Sequence, residues 1–253
     1  MLSRRVIVCL DVEGGRVVKG VQFESLREIG DPAVLASRYE LEGADEIVLL
    51  NIAAHADGVA RLPDIVRRTA ERLFIPLTVG GGIGSVEDAG RMLRAGADKI
   101  SINSASVARP EVITEAAEKF GSQCVVASID ARREQNGWRV YTHGGRNATS
   151  LDAASWAARC SQLGAGEILI TSIDRDGTRD GFDLELTSAV ARVVTVPVIA
   201  SGGGGGSAHI IEVLSVGGAD AALMAGAFHD GTCSIEEVKT AMRKTGLPAR
   251  VAA

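Results

Sequence analysis

Short apolar runs rich in Val, Ile and Leu alternate along the chain with longer stretches whose apolar positions recur at helical spacing. The strand-like runs are 5–11 (RVIVCLD), 46–51 (EIVLLN), 76–80 (PLTVG), 98–103 (DKISIN), 124–130 (CVVASID), 167–172 (EILITS), 197–201 (PVIAS) and 220–225 (DAALMA). Helical stretches fall between them, at 31–43, 62–73, 109–121, 151–164 and 234–246. Asp31 before Pro32, and Ser234 with Glu237, signal helix starts, because an acceptor side chain at the cap takes free amide groups of the first turn. Gly43, Gly121, Gly164 and Gly246 signal helix ends. Eight strand–helix units of this size predict an α/β fold, a closed (β/α)8 barrel forming one domain over 1–253.

The pattern repeats. GADEIVLL (43–50) matches GAGEILIT (164–171), and PLTVGGGIG (76–84) matches PVIASGGGG (197–205), both at an offset of 121. GADKISI (96–102) matches GADAALM (218–224) at 122, and CLD (9–11) answers SID (128–130) at 119. Matches at nearly one offset predict two similar half-barrels, about 1–121 and 122–253. They also change the reading of the five consecutive glycines, Gly202–Gly206, which alone would suggest a flexible linker. The run directly follows a strand and has a counterpart one half-barrel earlier.

Composition narrows the picture further. Hydrophobic residues make up 46% and aromatics only 4%, so the core is aliphatic, as suits parallel strands buried on both faces. The formal net charge of −5 and the absence of a long Lys/Arg run exclude nucleic acid or an anionic membrane as the main partner. The first apolar stretch is interrupted by Asp11 and is too short for a signal peptide. No run approaches membrane-spanning length, so a cytoplasmic location is expected. Cys9, Cys124, Cys160 and Cys233 form no CxxC and stand at no metal-ligand spacing with the four histidines; they read as reduced thiols, with no metal or cofactor expected.

In a barrel, chemistry gathers where the strands end. After strand seven come Gly203, Gly204 and their neighbours, with Ser207 a candidate helix cap; after strand eight come Ala225 and Gly226. The first half offers Gly82 after strand three, and Asn103 and Ser104 after strand four. Glycines let amide groups approach an anion closely, so two such loops on opposite sides of one mouth predict a substrate with a phosphate at each end. Tight strand-to-helix turns are the plainer alternative. Asp11 closes strand one and Asp130 strand five, an arrangement suited to paired acid–base work or to capping loop amides. Asp174 and Asp176, after strand six, suit substrate hydroxyls or an Asx turn. His55, His143 and His209 read as loop or helix-surface residues, His229 as a hydrogen-bonded packing residue, and Trp138 and Trp156 as packing residues. At the opposite end Arg5, Glu46, Lys99 and Glu167 each begin a strand, and by themselves read as a structural salt-bridge layer across the floor.

The segments VIVCLDVEGGRVVKG (6–20), TVGGGI (78–83), ADKISIN (97–103), GAGEILITSIDRDGT (164–178) and VIASGGGG (198–205) resemble the cyclase subunit of imidazole glycerol phosphate synthase, over essentially the whole chain. The resemblance implies that ammonia and phosphoribulosyl-formimino-AICAR give imidazole glycerol phosphate and AICAR. It implies Asp11 and Asp130 as the acid–base pair and Lys19 on a loop that closes over substrate. Gly82, Asn103, Ser104, Thr171, Asp176, Gly177, Gly203, Gly204, Ala225 and Gly226 fall on its substrate and phosphate positions. Arg5, Glu46, Lys99 and Glu167 then become an ammonia gate, with Asp98 facing a separate glutaminase subunit docked on the floor, for which this chain has no room. Asn51 departs from the family's usual Asp, Gly226 from its Ser, and Gly204 from its usual small residue. The Asn51 departure motivates one alternative, a paralogous barrel that amidates a nucleotide-sugar. A related phosphoribosyl isomerase, and a non-catalytic activator of a glutaminase, are the others.

Overall fold

A computed structural model describes residues 3–21, 24–52, 56–135 and 137–250; His55 lies outside them. In chain order the elements are β1 (Arg5–Glu13), β2 (Arg16–Val21), β3 (Glu24–Gly30), α1 (Pro32–Leu41), β4 (Glu46–Asn51), α2 (Ala56–Ala70), β5 (Leu77–Gly80), α3 (Val86–Arg94) and β6 (Lys99–Ile102). Next come α4 (Ser104–Ala108), α5 (Glu111–Phe120), β7 (Val125–Glu134), β8 (Gly137–Thr142), β9 (Asn147–Asp152), α6 (Ala153–Gln162) and β10 (Glu167–Ser172). The chain closes with α7 (Leu184–Ala191), β11 (Val198–Ser201), α8 (Ser207–Ser215), β12 (Ala221–Met224), α9 (Gly226–His229) and α10 (Ile235–Lys244).

Eight strands pair in parallel in the order β1, β4, β5, β6, β7, β10, β11, β12, and β12 pairs back onto β1. The ring is closed, so no barrel strand leaves an edge. Period-two alternation sorts the side chains. In β1, Val6, Val8, Leu10 and Val12 join the large cluster beneath the helices, whereas Ile7 and Cys9 join a smaller lumenal cluster with Val48, Val126, Leu169, Ile199, Ala221 and Leu223.

The helix signals act as read. Asp31 accepts from the amides of Ala33 and Val34, and Ser234 and Glu237 form a reciprocal capping box. Other boundaries move. The helix expected over 62–73 runs from Ala56 to Ala70 and carries Pro63 inside it. The segment 109–121 yields α5 alone, preceded by the short α4. Ser207 does not cap α8; Gly206 holds that place and Ser207 is the first helical residue.

Two sheet extensions are absent from the apolar pattern. β1 runs past the barrel to pair with β2, which pairs with β3, all antiparallel. β7 does the same with β8 and β9. Lys19 therefore sits on a strand rather than in a loop, and Asp11 and Asp130 lie where their strands leave the ring instead of at their ends. Asp130 is in register with Thr171 on one side and Tyr141 on the other. The extensions follow the first and fifth barrel strands, in keeping with the sequence repeat.

Candidate active site

The alternation that fills the lumen also builds both of its ends. On β1 the inward strip is Arg5, Ile7, Cys9, Asp11; on β4 it is Glu46, Val48, Leu50; on β10 it is Glu167, Leu169, Thr171. Each strip starts with a charge at the floor and crosses an apolar middle; those of β1 and β10 reach a polar group at the mouth, Asp11 and Thr171, whereas that of β4 ends on Leu50.

At the mouth, Asp11 and Asp130 are both pushed up to about 6, foremost by burial. Their partners pull the other way: the Cys9 thiol donates to Asp11 Oδ1 (3.4 Å), and Asn103 Nδ2 donates to Asp130 Oδ2 (2.9 Å). Asp176 raises both further through its negative charge, and its own carboxyl is raised by burial against the opposing hydrogen bond from the Gly177 amide. Cys9 is held as a neutral thiol, chiefly by burial and then by Asp11. Carboxyls titrating near 6 can both give and take protons close to neutral pH, as acid–base catalysis requires.

Asp174 belongs elsewhere. Its carboxylate accepts from the Arg133 amide (2.7 Å) and ties the β10 loop to β7. Ser104, a candidate substrate contact, accepts through Oγ from the His143 amide (2.9 Å), holding the β8–β9 turn against the mouth. The buried Oδ1 of Asn103 has no hydrogen-bond partner among the described residues. His229 is a packing residue as expected: its Nδ1 meets the Tyr39 hydroxyl at 2.7 Å, and burial lowers it to about 4. His209, read as a surface residue, has a defined task, since its Nδ1 accepts from the Gly205 amide (3.2 Å) and steadies the glycine loop.

The glycines divide by what surrounds them. Gly81 and Gly82 have φ of 85° and 77°, and Gly202 and Gly203 of 90° and 95°, so each half-barrel places a pair in the left-handed region after the corresponding strand. A Cβ on Gly203 would lie 2.2 Å from the Gly181 carbonyl oxygen. One on Gly204 would lie 2.5 Å from Met224 Cγ, and one on Gly205 2.6 Å from the Arg179 carbonyl oxygen. A Cβ on Gly206 would meet nothing. The loop after β10 thus rests directly on the run, and Met224 fills the room that Gly204 leaves.

At the floor Arg5 contacts Glu46 (2.8 Å) and Glu167 (2.9 Å), and Lys99 contacts the same two carboxylates (2.9 and 3.1 Å). The four expected residues form one closed ring of alternating sign. Thr78, which sequence reasoning missed, donates its hydroxyl to the other oxygen of Glu46 (2.5 Å). Outside the ring, the repeated GAD motif has a mechanical role: Asp45, Asp98 and Asp220 accept from the amides of Val6, Leu77 and Val198, stitching the starts of neighbouring strands. Lys239 takes the second oxygen of Asp45 (2.6 Å), and Arg4 that of Asp220. Among the described residues no cation of this chain reaches Asp98.

A sequence model of a family described as "Histidine biosynthesis protein" matches residues 5–234. The chain is 62% identical over 250 residues to the imidazole glycerol phosphate synthase subunit HisF of Myxococcus xanthus (strain DK1622), covering 99% of both chains. It is 56% identical over 254 residues to the subunit of that name from Solibacter usitatus (strain Ellin6076), covering 100% of both. The chain belongs to the HisF family. The match carries the synthase reading rather than the nucleotide-sugar paralogue or the isomerase. As a HisF subunit the chain is an enzyme component of histidine biosynthesis. No helix among the described residues is long and apolar enough to cross a membrane.

Proposed function

We propose that this chain, the cyclase subunit of imidazole glycerol phosphate synthase, closes an imidazole ring at the barrel mouth with ammonia delivered through the barrel floor. The observation that carries the reading is the pair Asp11 and Asp130, raised to about 6 at the top of strands one and five. The substrate is phosphoribulosyl-formimino-AICAR. Ammonia adds to its ribulosyl carbonyl, water leaves to give an imine, and attack on the formimino carbon closes the ring and expels AICAR. Each stage moves a proton to or from nitrogen or oxygen, and Asp11 and Asp130 supply and accept these protons. Burial, reinforced by the charge of Asp176, keeps both carboxyls protonatable near neutrality. Asn103, fixed to Asp130, retains a free buried acceptor for a substrate donor. The amides around Gly82, Asn103 and Ser104 hold one phosphate. Gly177, Gly203, Gly204, Ala225 and Gly226 hold the other, with Thr171 beneath and Lys19 above.

Free ammonia is mostly protonated at neutral pH, so a dry route favours the reactive form. The lumenal cluster from Ile7 to Leu223 provides that route, and the ring of Arg5, Glu46, Lys99 and Glu167 is its gate. A glutaminase subunit docks over this gate. Leu41 (82% exposed), Phe74 (95%), Val193 and Val216 are all exposed and all lie in or next to helix-to-strand connections, which sit at the floor. Asp98 offers the partner a carboxylate that no cation among the described residues neutralises. The two halves, about 1–121 and 122–253, each bring one acid–base residue and one phosphate cradle. Cytoplasmic location fits a biosynthetic enzyme of this kind.

Crystals equilibrated with phosphate test the two-ended substrate. Two anions are expected at the mouth, one near Gly82 and Asn103 and one near Gly203 and Gly226. A mouth that stays empty at high phosphate contradicts it.

A further inference from the structure

Between the two glycine loops of the second half lies a group of charges of which the sequence motifs include only Lys19. The loop after β10 crosses over the glycine run, with the Gly181 amide donating to the Gly203 carbonyl (2.9 Å). Arg179 stands in this crossing with φ of 64°, a left-handed conformation disfavoured for a residue with a Cβ. Its loop neighbours in that region, Gly177 and Gly181, are glycines. A side chain kept at this position despite the backbone cost points to a use for its head group. That head group reaches the Gly226 carbonyl (Nη2 to O, 3.4 Å) and forms an ion pair with Asp230. Lys19 arrives from β2 at the same two acceptors, 3.5 Å from the Gly226 carbonyl and paired with Asp230. Arg27 of β3 stands 3.8 Å from the other Asp230 oxygen. Gly226 puts no side chain between the cations: a Cβ there would lie 3.5 Å from Arg179 Nη2 and 3.6 Å from Lys19 Cε.

We propose that Arg179 is, with Lys19, a side-chain ligand of the substrate phosphate at the Gly203–Gly226 cradle, and that Asp230 is a built-in occupant of these cations which the phosphate displaces. This rests on the two-phosphate reading given above. A phosphate dianion brings two charges and three acceptor oxygens against one carboxylate, so it wins the shared donors once the backbone amides also hold it. Its two cations hold the Asp230 carboxyl down at about 2. The carboxylate therefore stays charged at any working pH, and only a competing anion releases the cations. Asp230 thus weakens phosphate binding and recaptures Lys19 and Arg179 when product leaves. Because Lys19 lies on the β2 strand, the exchange also couples phosphate arrival to the position of the β1 extension over the mouth.

Titration with inorganic phosphate, followed by 31P NMR and assigned by crystals in the same anion, tests the proposal on the full chain. Asp230→Asn keeps the shape and removes the charge; it is expected to tighten the Gly226 cradle by about threefold to tenfold. Arg179→Gln is expected to weaken that cradle by about tenfold or more. The Gly82–Asn103 cradle serves as internal control and should not change in either variant. If the wild type fills both cradles but Asp230→Asn binds no tighter, or Arg179→Gln no weaker, the proposal is wrong and the two-phosphate reading survives. If the wild type leaves the Gly226 cradle empty, the two-phosphate reading fails and this proposal fails with it.

Discussion

Burial raises Asp11 and Asp130 to about 6, against an ordinary value of 3.8, and this has a cost as well as a use. Between pH 4 and 6 the unfolded chain has already lost these protons while the folded chain keeps them. Stability therefore falls as pH rises through that interval and remains lowered above it. Asp11→Asn or Asp130→Asn removes the ionisation penalty. Each variant is expected to gain on the order of 1–2 kcal/mol over wild type at pH 8, a value discounted because the carboxyls still meet the open mouth, and to gain little at pH 4. Urea unfolding of the three proteins at the two pH values checks this; an equal effect at both pH values would show that the charge is not strained. These carboxylates stood out in the sequence because each follows a largely apolar run, although β1 and β7 continue past them. Arg179, Asp230 and Thr78 were not, because each acts on a residue remote in the chain, and nothing local distinguishes such a residue from an ordinary surface charge or strand threonine.

The elements show where pattern reading stops. Barrel strands buried on both faces are continuous apolar runs, so all eight were placed, β4 and β10 to the residue. β2, β3, β8 and β9 carry mixed sequences such as RVVKGV and NATSLD, with no strong alternation, and owe their strand conformation to pairing with the extended β1 and β7. Helix boundaries held where a cap makes a local hydrogen bond, at Asp31 and Ser234, and slipped in the stretch expected over 62–73, for which no cap is read. The glycine run is the sharpest case. Repetition located it correctly, but only packing tells its members apart. Gly205→Ser is expected to destabilise by about 1–3 kcal/mol, since its Cβ would press on the Arg179 backbone. Gly206→Ser should be neutral or stabilising by a few tenths of a kcal/mol, because the site is open and Ser caps a helix slightly better than Gly. Thermal unfolding of both variants decides; equal losses would contradict the packing account.

At the scale of the whole molecule, one period-two alternation runs from floor to mouth, and on β1 it sets a member of the charged ring, Arg5, the apolar throat residues Ile7 and Cys9, and the raised carboxyl of Asp11 in sequence. On the proposed reading, the twofold repeat sets the phosphate cradles on opposite sides, so that a long substrate with two anionic ends would lie across the throat from which ammonia would emerge. The fold dictates that order, and the chemistry follows from the few inward positions at each level. The most direct measurement is AICAR release by the purified chain alone, given phosphoribulosyl-formimino-AICAR and an ammonium salt at alkaline pH, with Asp11→Asn and Asp130→Asn alongside. The account predicts turnover by the wild type, a loss of at least about a hundredfold in each variant, and undiminished docking of the glutaminase subunit by both. Cyclisation surviving in either single variant, or no turnover by the wild type, would contradict it.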